Sequence, residues 1–169
     1  MKTLYPKPYT LNPKNGYILV ESVVAMTIVV VGLLGIFSLL SQSLSLNRVV
    51  GDRYVGTYLA AEGIEVAKNI IDNNIVNSRP WNAGFSNGSF EVDFDSLSLE
   101  SNLNRYIKLD SPNGRYGYRD GADTRFKRTI KIELLGSGEE IKVNSVVKWL
   151  SRGEADFKVD LEDHFFNWR

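Results

Sequence analysis

The sequence predicts an α+β protein in which a long N-terminal helix packs on a small antiparallel β-sheet head. An uncharged apolar run lies between Glu21 and Arg48, and apolar residues then recur every three or four positions up to about residue 77. From residue 90 onward the pattern changes to alternation with period two, which is typical of half-buried strands. The boundary between helix and sheet is expected at Pro80, because proline ends a helix.

The composition of the 169-residue chain disfavours several classes of function. The 20 basic and 20 acidic side chains cancel, whereas a nucleic-acid-binding protein needs an excess of Lys and Arg. There is no cysteine and a single histidine, His164, so the sequence disfavours thiolate zinc sites, cysteine nucleophiles and Ser–His triads. We therefore expect a protein that is not an enzyme, with no cofactor, no metal and no nucleic-acid partner.

Residues 1–16 form a basic leader with three lysines and no acidic residue. The remaining 17 basic and 20 acidic residues give residues 17–169 a net charge of −3. A basic flank before an apolar helix places the N-terminus in the cytoplasm. A secretory signal peptide is disfavoured because the leader is long and contains three prolines and the apolar run exceeds a signal core. Cleavage after the small residues at 41–45 stays open, and an uncleaved signal anchor is the stronger alternative.

The long helix is predicted over residues 17–79, with a membrane-spanning part at about 22–42 and an amphipathic part after it. Residues 23–40 are apolar over a length that crosses a hydrocarbon core of about 30 Å. The amphipathic part carries one predicted stripe of apolar positions: Val50, Tyr54, Tyr58, Ala61, Ile64, Ala67, Ile71 and Ile75.

Glu21 is the ionisable residue that a plain membrane anchor does not explain. A charge near the middle of a bilayer costs about 2.5–3.5 kcal/mol, and less near the interface. Such a residue is a functional candidate whose expected partner is a cation at the same depth. The alternative is a solvated glutamate near the helix N-terminus, where the macrodipole favours negative charge.

The residues around Glu21 point to a family. The stretch Gly16-Tyr17-Ile18-Leu19-Val20-Glu21, with Lys14 before it and the apolar run after it, resembles the processing site of type IV prepilins and pseudopilins. The later Val31-Gly32-Leu33-Leu34-Gly35 is similar to the sequence found in minor pilins of the PilV and GspI type. Two departures are Asn15 between Lys14 and the glycine, and Tyr17 where phenylalanine is commoner. A third, the absence of cysteine, favours a minor pilin or pseudopilin, or a pilin from a lineage without a disulfide-bounded loop.

The resemblance implies a set of roles. A prepilin peptidase would cut between Gly16 and Tyr17, the new amine of Tyr17 would be methylated, and Glu21 would become the fifth mature residue and act in assembly. The implied partners are the prepilin peptidase, other pilins or pseudopilins, the assembly platform and motor, and membrane lipid. The expected location is the inner membrane as a single-pass protein, and then a pilus or pseudopilus. The alternative is a single-pass anchored extracellular binding or sensor domain that does not polymerise.

The head is predicted over residues 80–169. Strands are expected at 90–94, more weakly at 105–109, at 126–135, at 141–149 and at 157–161, the last leading into Phe165, Phe166 and Trp168. Residues 136–138 supply a turn, so 126–135 and 141–149 should form an antiparallel hairpin. The amphipathic half of the helix should cover the apolar face of the sheet.

Residues 111–124 are rich in turn formers and are expected to form a surface loop. Asp120 and Asp123 flank a glycine, but they lack EF-hand spacing, so a solvated loop is favoured over a calcium site. An adhesive patch is an open alternative for two tyrosines and two arginines of this region: Arg115, Tyr116, Tyr118 and Arg119.

Overall fold

The structure is a computed structural model, and it describes residues 15–150 and 156–167, without the side chains of Asn15 and Gly16. The chain divides into two compact units, Met1–Asn47 and Arg48–Arg169. The leader residues 1–14 and the predicted Trp168 lie outside the described residues. The α+β class is confirmed: one long helix is followed by antiparallel strands.

The first unit contains the beginning of helix α1, whose bounds are Asn15–Val76. From Tyr17 onward its side chains are exposed and mostly apolar, and α1 is long and apolar enough to cross a membrane. Two hydroxyls in this part bond within the helix: Ser22 Oγ donates to the Ile18 carbonyl and Thr27 Oγ1 to the Val23 carbonyl, each at 2.8 Å. Internal bonds of this kind suit an apolar surrounding, where no water would satisfy a hydroxyl.

The second unit contains the rest of α1 and all the strands. The strands are β1 Gly88–Glu91, β2 Glu100–Ser101, β3 Lys108–Asp110, β4 Arg115–Gly117, β5 Ala122–Asp123, β6 Phe126–Leu135, β7 Glu140–Leu150 and β8 Asp156–Phe166. A five-stranded antiparallel sheet has the order β2-β1-β6-β7-β8, and a three-stranded sheet has the order β4-β3-β5. The predicted hairpin is present as β6 and β7, joined by a short turn at Gly136–Gly138.

The register of the large sheet follows from the alternation in the sequence. Phe126 lies opposite Trp149, and Trp149 lies opposite Phe157, so three aromatic residues form one row across β6, β7 and β8. Successive side chains of a strand point to opposite faces, so this row continues on the same face with Ile130 and Val143. Those two side chains are fully buried, which places the core on this face of the sheet.

Helix α1 faces the core with the predicted stripe in its second half and with a different face in its first half. From Ile64 onward the stripe is confirmed: Ala67 and Ile71 are buried, and Ile64 and Ile75 are half-buried. Before Ile64 the stripe faces solvent at Val50, Tyr54, Tyr58 and Ala61, and the buried face consists of small residues and a leucine: Gly56, Leu59, Ala60 and Gly63. The physical reason is close approach, because glycines let the helix backbone lie against the sheet.

Two glycines of α1 show how close that approach is. A Cβ at Gly56 would come within 2.8 Å of the Trp149 ring, and one at Gly63 within 2.5 Å of Ser145 Oγ. No side chain larger than hydrogen fits at either position unless its neighbours move. The stripe prediction was wrong here because apolar periodicity alone ranks tyrosine above glycine as a core residue.

The region expected to be a loop contains two further strands. Within residues 111–124, β4 and β5 both pair with β3 and form the small sheet. The chain can turn tightly between them because Gly121 has a φ of +110°, and a Cβ there would come within 2.4 Å of the Leu109 carbonyl oxygen. The prediction of a plain loop was therefore wrong, since strands this short carry no clear alternation.

The acidic residues of the predicted strand at 90–94 are buried. Glu91 is 0% exposed and Asp93 is 5% exposed, and the strand itself ends at Glu91. The side chain of Glu91 accepts hydrogen bonds from the main-chain N–H groups of Leu103 and Arg105 and from Arg105 Nε, the last at 2.7 Å. The expectation of a half-buried strand at 90–94 is therefore wrong at its acidic positions, where Glu91 and Asp93 are buried with partners.

Candidate functional site

The strongest sequence-predicted site lies at the start of α1. The Gly16–Tyr17 peptide bond belongs to the first helical turn, whose N–H groups have no partner within the helix. The hydrogen bonding of this turn is therefore incomplete, as it is at any helix end. The side chain of Tyr17 is 77% exposed.

Tyr17 and Glu21 lie one helical turn apart on the same face of α1. They share a shallow groove lined by Tyr17, Val20, Glu21, Val24, Ala25 and Ile28. Residues four apart on a helix are neighbours on its surface. If the chain were cut before Tyr17, its new amine and the Glu21 carboxylate would therefore sit on one side of the helix end.

Glu21 is the lone charged residue from Tyr17 to Asn47. Its side chain is exposed, and within the described ranges it has no ion-pair or hydrogen-bond partner. An exposed carboxylate on an apolar helix carries a large cost if lipid or protein covers it without a cation. No basic side chain occurs within residues 17–47. A partner cation must therefore come from outside this segment.

The head contains a buried arginine, Arg128, in addition to the buried Glu91 and Asp93, and the sequence did not predict its burial. Arg128 is 1% exposed, and its guanidinium donates to the Leu59 carbonyl at 2.9 Å, to Glu62 at 2.8 Å and to the Val92 carbonyl at 2.7 Å. Its Nε and the nearby Ser145 Oγ have no hydrogen-bond partner among the described residues. Arg128 thus joins α1, β6 and the end of β1, a role that is structural.

The alternation along β6 could have predicted that Arg128 is buried. The positions that point to the core are 126, 128, 130, 132 and 134, and an arginine stands at the second of them. A charged residue in the apolar register of a strand is buried with partners or breaks the register.

The predicted adhesive patch does not form as a unit. Tyr118 is buried, with the Arg105 guanidinium 4.7 Å from its ring centroid, and burial raises the pKa of its hydroxyl. Arg119 instead forms a two-pronged ion pair with Asp95, at 2.8 and 3.0 Å. The remaining two members, Arg115 and Tyr116, border a small cleft of the three-stranded sheet.

The candidate calcium pair is split. Asp120 lies in the turn that borders this cleft, whereas Asp123 belongs to β5 and is exposed opposite Lys108. Within residues 15–150 and 156–167 no group of three or more histidine, aspartate or glutamate side chains could hold a metal ion.

His164 lies on the outer face of β8 between two carboxylates. Its Nδ1 is 2.5 Å from a Glu140 oxygen and its Nε2 is 3.2 Å from a Glu162 oxygen. Hydrogen bonds to Glu140 and then to Glu162 raise the pKa of His164 above its ordinary value. Lys142, Asn144 and His164 together lower the pKa of Glu162 to about 2.

Comparison of the chain with models of protein families, with curated proteins and with solved structures finds no match in any of the three.

Proposed function

We propose that this protein is a type IV pilin-like structural subunit, inserted as a prepilin, processed by prepilin peptidase and assembled into a pilus or pseudopilus as a minor subunit. The observation that carries the proposal is the placement of Tyr17 and Glu21 one turn apart at the exposed start of a helix that can span a membrane. A globular sheet-based head after that helix supports the same reading.

The proposed processing step is hydrolysis of the Gly16–Tyr17 bond. Glycine leaves the backbone open on one side of that bond, since it has no Cβ. The position of the bond in the first turn of α1 supports the proposal, because that turn can unwind without breaking the hydrogen bonds of the rest of the helix. Methylation of the new Tyr17 amine keeps its positive charge.

The proposed assembly step pairs Glu21 with the Tyr17 amine of a neighbouring subunit. When apolar helices pack together, an unpaired carboxylate and an unpaired amine each lose their hydration, which costs several kcal/mol per ion. Pairing them offsets that cost at one axial position and leaves other positions penalised. Glu21 then determines the axial position of neighbouring subunits in the filament, and contributes less to how tightly they bind.

The proposed location follows from the apolar part of α1 and the basic leader. Insertion with the N-terminus in the cytoplasm puts the head outside the inner membrane, and assembly then transfers it to a pilus or pseudopilus. The proposed partners are the prepilin peptidase, the assembly platform with its cytoplasmic motor, other pilins or pseudopilins, and lipid. Nothing in this role calls for catalysis or a cofactor.

The decisive experiment is mass spectrometry of the full chain extracted from membranes of cells that carry the cognate prepilin peptidase. We expect a mature chain that begins at Tyr17 and carries one added methyl group. A Gly16→Leu variant should stay uncut. The matched control is Gly32→Leu, the same change further along the same helix, at a position where a new Cβ meets nothing within 4 Å; it should be processed normally.

An uncut wild-type chain that keeps its leader would reject the pilin reading and favour a single-pass anchored binding or sensor domain. If processing occurs, deletion of the gene with scoring of pili, secretion and DNA uptake identifies the machine that the subunit serves.

A further inference from the structure

The three-stranded sheet β4-β3-β5 forms one wall of a cleft of about 220 Å³. The opposite wall is the segment that follows β1, with Asp93 and Phe94. Asp110 and Arg115 are register partners in β3 and β4, so they lie side by side on one face of the small sheet. The volume suits a single small ring with its substituents.

The wall formed by the segment after β1 contains a buried carboxylate, that of Asp93. Asp93 is 5% exposed, and its carboxylate accepts hydrogen bonds from the N–H groups of Phe94, at 2.9 Å, and Tyr118, at 3.4 Å. A Cβ at position 117 would come within 2.7 Å of Asp93 Oδ1. Gly117 does not have a positive φ, so the backbone does not demand glycine there, and what requires it is space beside the Asp93 carboxylate.

The rim carries two groups of opposite charge that are not paired with each other. Asp120 is exposed and has no hydrogen-bond or ion-pair partner within the described part of the chain. The Arg115 guanidinium lies 5.5 Å from the ring centroid of Phe94 and makes no hydrogen bond to any described residue. The rim therefore presents the Asp120 carboxylate, which only accepts hydrogen bonds, and the Arg115 guanidinium, which only donates them. Neither group makes a hydrogen bond within the described part of the chain.

A ligand that satisfies both groups must donate and accept hydrogen bonds at adjacent atoms. A carboxylate only accepts and a guanidinium only donates. Asp110 already accepts a hydrogen bond from Asn113, and Arg119 is paired with Asp95. The two lining charges that remain have opposite signs, so a lone metal cation would leave Arg115 unmatched and a lone anion would leave Asp120 unmatched. Hydroxyl groups meet the requirement, because each one both donates and accepts.

An exposed aromatic side chain favours a ring-shaped ligand over a flexible polyol. Phe94 is 43% exposed and borders the cleft. Binding sites that combine aromatic surface with a few placed polar groups orient a ligand that has an apolar face and polar edges. A pyranose has C–H groups on its faces and hydroxyls around its edge.

We propose that this cleft binds a single pyranose unit of a glycan, with Asp120 and Arg115 bridging neighbouring hydroxyls and Phe94 against a face of the sugar ring. Asn113 is held at the entrance, donating to Asp110 at 2.6 Å, and its carbonyl oxygen accepts a further hydroxyl. The proposal does not depend on processing or polymerisation, since every residue of the cleft belongs to the head.

The test is saturation-transfer difference NMR on the full chain, solubilised in a detergent without a sugar head group. The probes are glucose, galactose and N-acetylglucosamine, each at millimolar concentration. We expect saturation transfer to the ring protons of at least one of them. Asp120→Ala and Arg115→Met should each weaken binding roughly tenfold, because each removes a hydrogen bond to a charged group.

The matched control is Asp123→Ala, which removes an exposed aspartate of the same small sheet outside the cleft. It should bind like the wild type, and all variants should melt at the wild-type temperature. The proposal is overturned if none of the three sugars receives transfer, or if Asp120→Ala and Asp123→Ala bind equally well. Transfer to triglycine, added as a fourth probe, in place of the sugars would assign the cleft to peptides and also overturn it.

Discussion

The ring of Trp149 in β7 lies directly against Gly56 of α1, where a Cβ would come within 2.8 Å of the ring carbon Cζ3. Two turns further along the helix, Gly63 lies in the same way against Ser145 and Ile130. The part of α1 that belongs to the head is thus held at a distance from the sheet that only glycine permits.

We predict that Gly63→Ala destabilises the head although alanine is the better helix former. The new methyl group would meet Ser145 Oγ at 2.5 Å and Ile130 Cδ1 at 2.6 Å, and overpacking of this kind typically costs about 1–3 kcal/mol. The gain in helix propensity offsets about 1 kcal/mol of that. Gly51→Ala is the control, since nothing lies within 4 Å of it; it should be neutral or stabilising. Urea unfolding of both variants in micelles measures the difference, and equal midpoints would contradict the close packing.

We predict that Arg128 and Glu62 are energetically coupled. Glu62 is the only acidic partner of the buried guanidinium among the described residues, at 2.8 Å, and its own side chain is 33% exposed. Replacing Glu62 by glutamine leaves a buried cation without its counter-charge, whereas the same change in an Arg128→Met background leaves nothing unpaired. A double-mutant cycle should therefore give a coupling free energy of about 1–3 kcal/mol. Additive effects of the two substitutions would show that the main-chain carbonyls alone hold Arg128.

We predict that the head loses stability through His164 as the pH rises above about 6.5. Because Glu140 and Glu162 raise the pKa of His164 in the folded chain, its contribution is fully present below its unfolded value of 6.5 and is lost as the pH rises through the raised pKa. Glu162, with a pKa of about 2, stays ionised throughout this range. Since the chain has no other histidine, the difference in melting temperature between wild type and His164→Gln should shrink toward zero at the alkaline end. A difference that is constant with pH would reject this role.

We predict that Glu21→Gln is processed normally and assembles poorly. Glutamine keeps the shape of the side chain but removes the counter-charge for a neighbouring amine, so the yield of sheared filaments should fall at least roughly tenfold. Mass spectrometry should show that cleavage at Gly16–Tyr17 is unchanged. Ser22→Ala is the control at the next position, because the Ser22 hydroxyl bonds within its own helix. Wild-type filament yield from Glu21→Gln would remove Glu21 from the assembly mechanism.

The sequence was sufficient for the elements with strong periodicity. The helix was predicted over residues 17–79 with Pro80 as its stop, and α1 spans Asn15–Val76, so its ends differ from the prediction by two and three residues. The strands β6 and β7 lie where alternation predicted them, and β8, expected over 157–161, extends to Phe166. These segments are long enough for a hydrophobic pattern to repeat several times, which is what makes such a pattern informative.

The buried polar residues could not be found in the same way. Glu91 is completely buried because Arg105 and two main-chain N–H groups from a segment more than ten residues away surround it. No local pattern reports a partner at that distance in sequence. The exposed tyrosines Tyr54 and Tyr58 show the converse case: helical spacing identified them as core, but the sheet lies against glycines on another face.

The order of strands in the large sheet has a consequence for the way the chain becomes folded as it is made. The three strands β6, β7 and β8 follow one another directly, so they can form a meander by themselves, whereas β1 must wait to pair with β6 and lies on the far side of a long connection. Contacts between segments distant in sequence form late, because the intervening loop must close first. The helical face at Leu59 to Ile71 is synthesised before its cover exists, and it stays uncovered until the ribosome has completed Trp149. Throughout that interval the chain exposes an apolar surface that a chaperone or another nascent subunit can occupy.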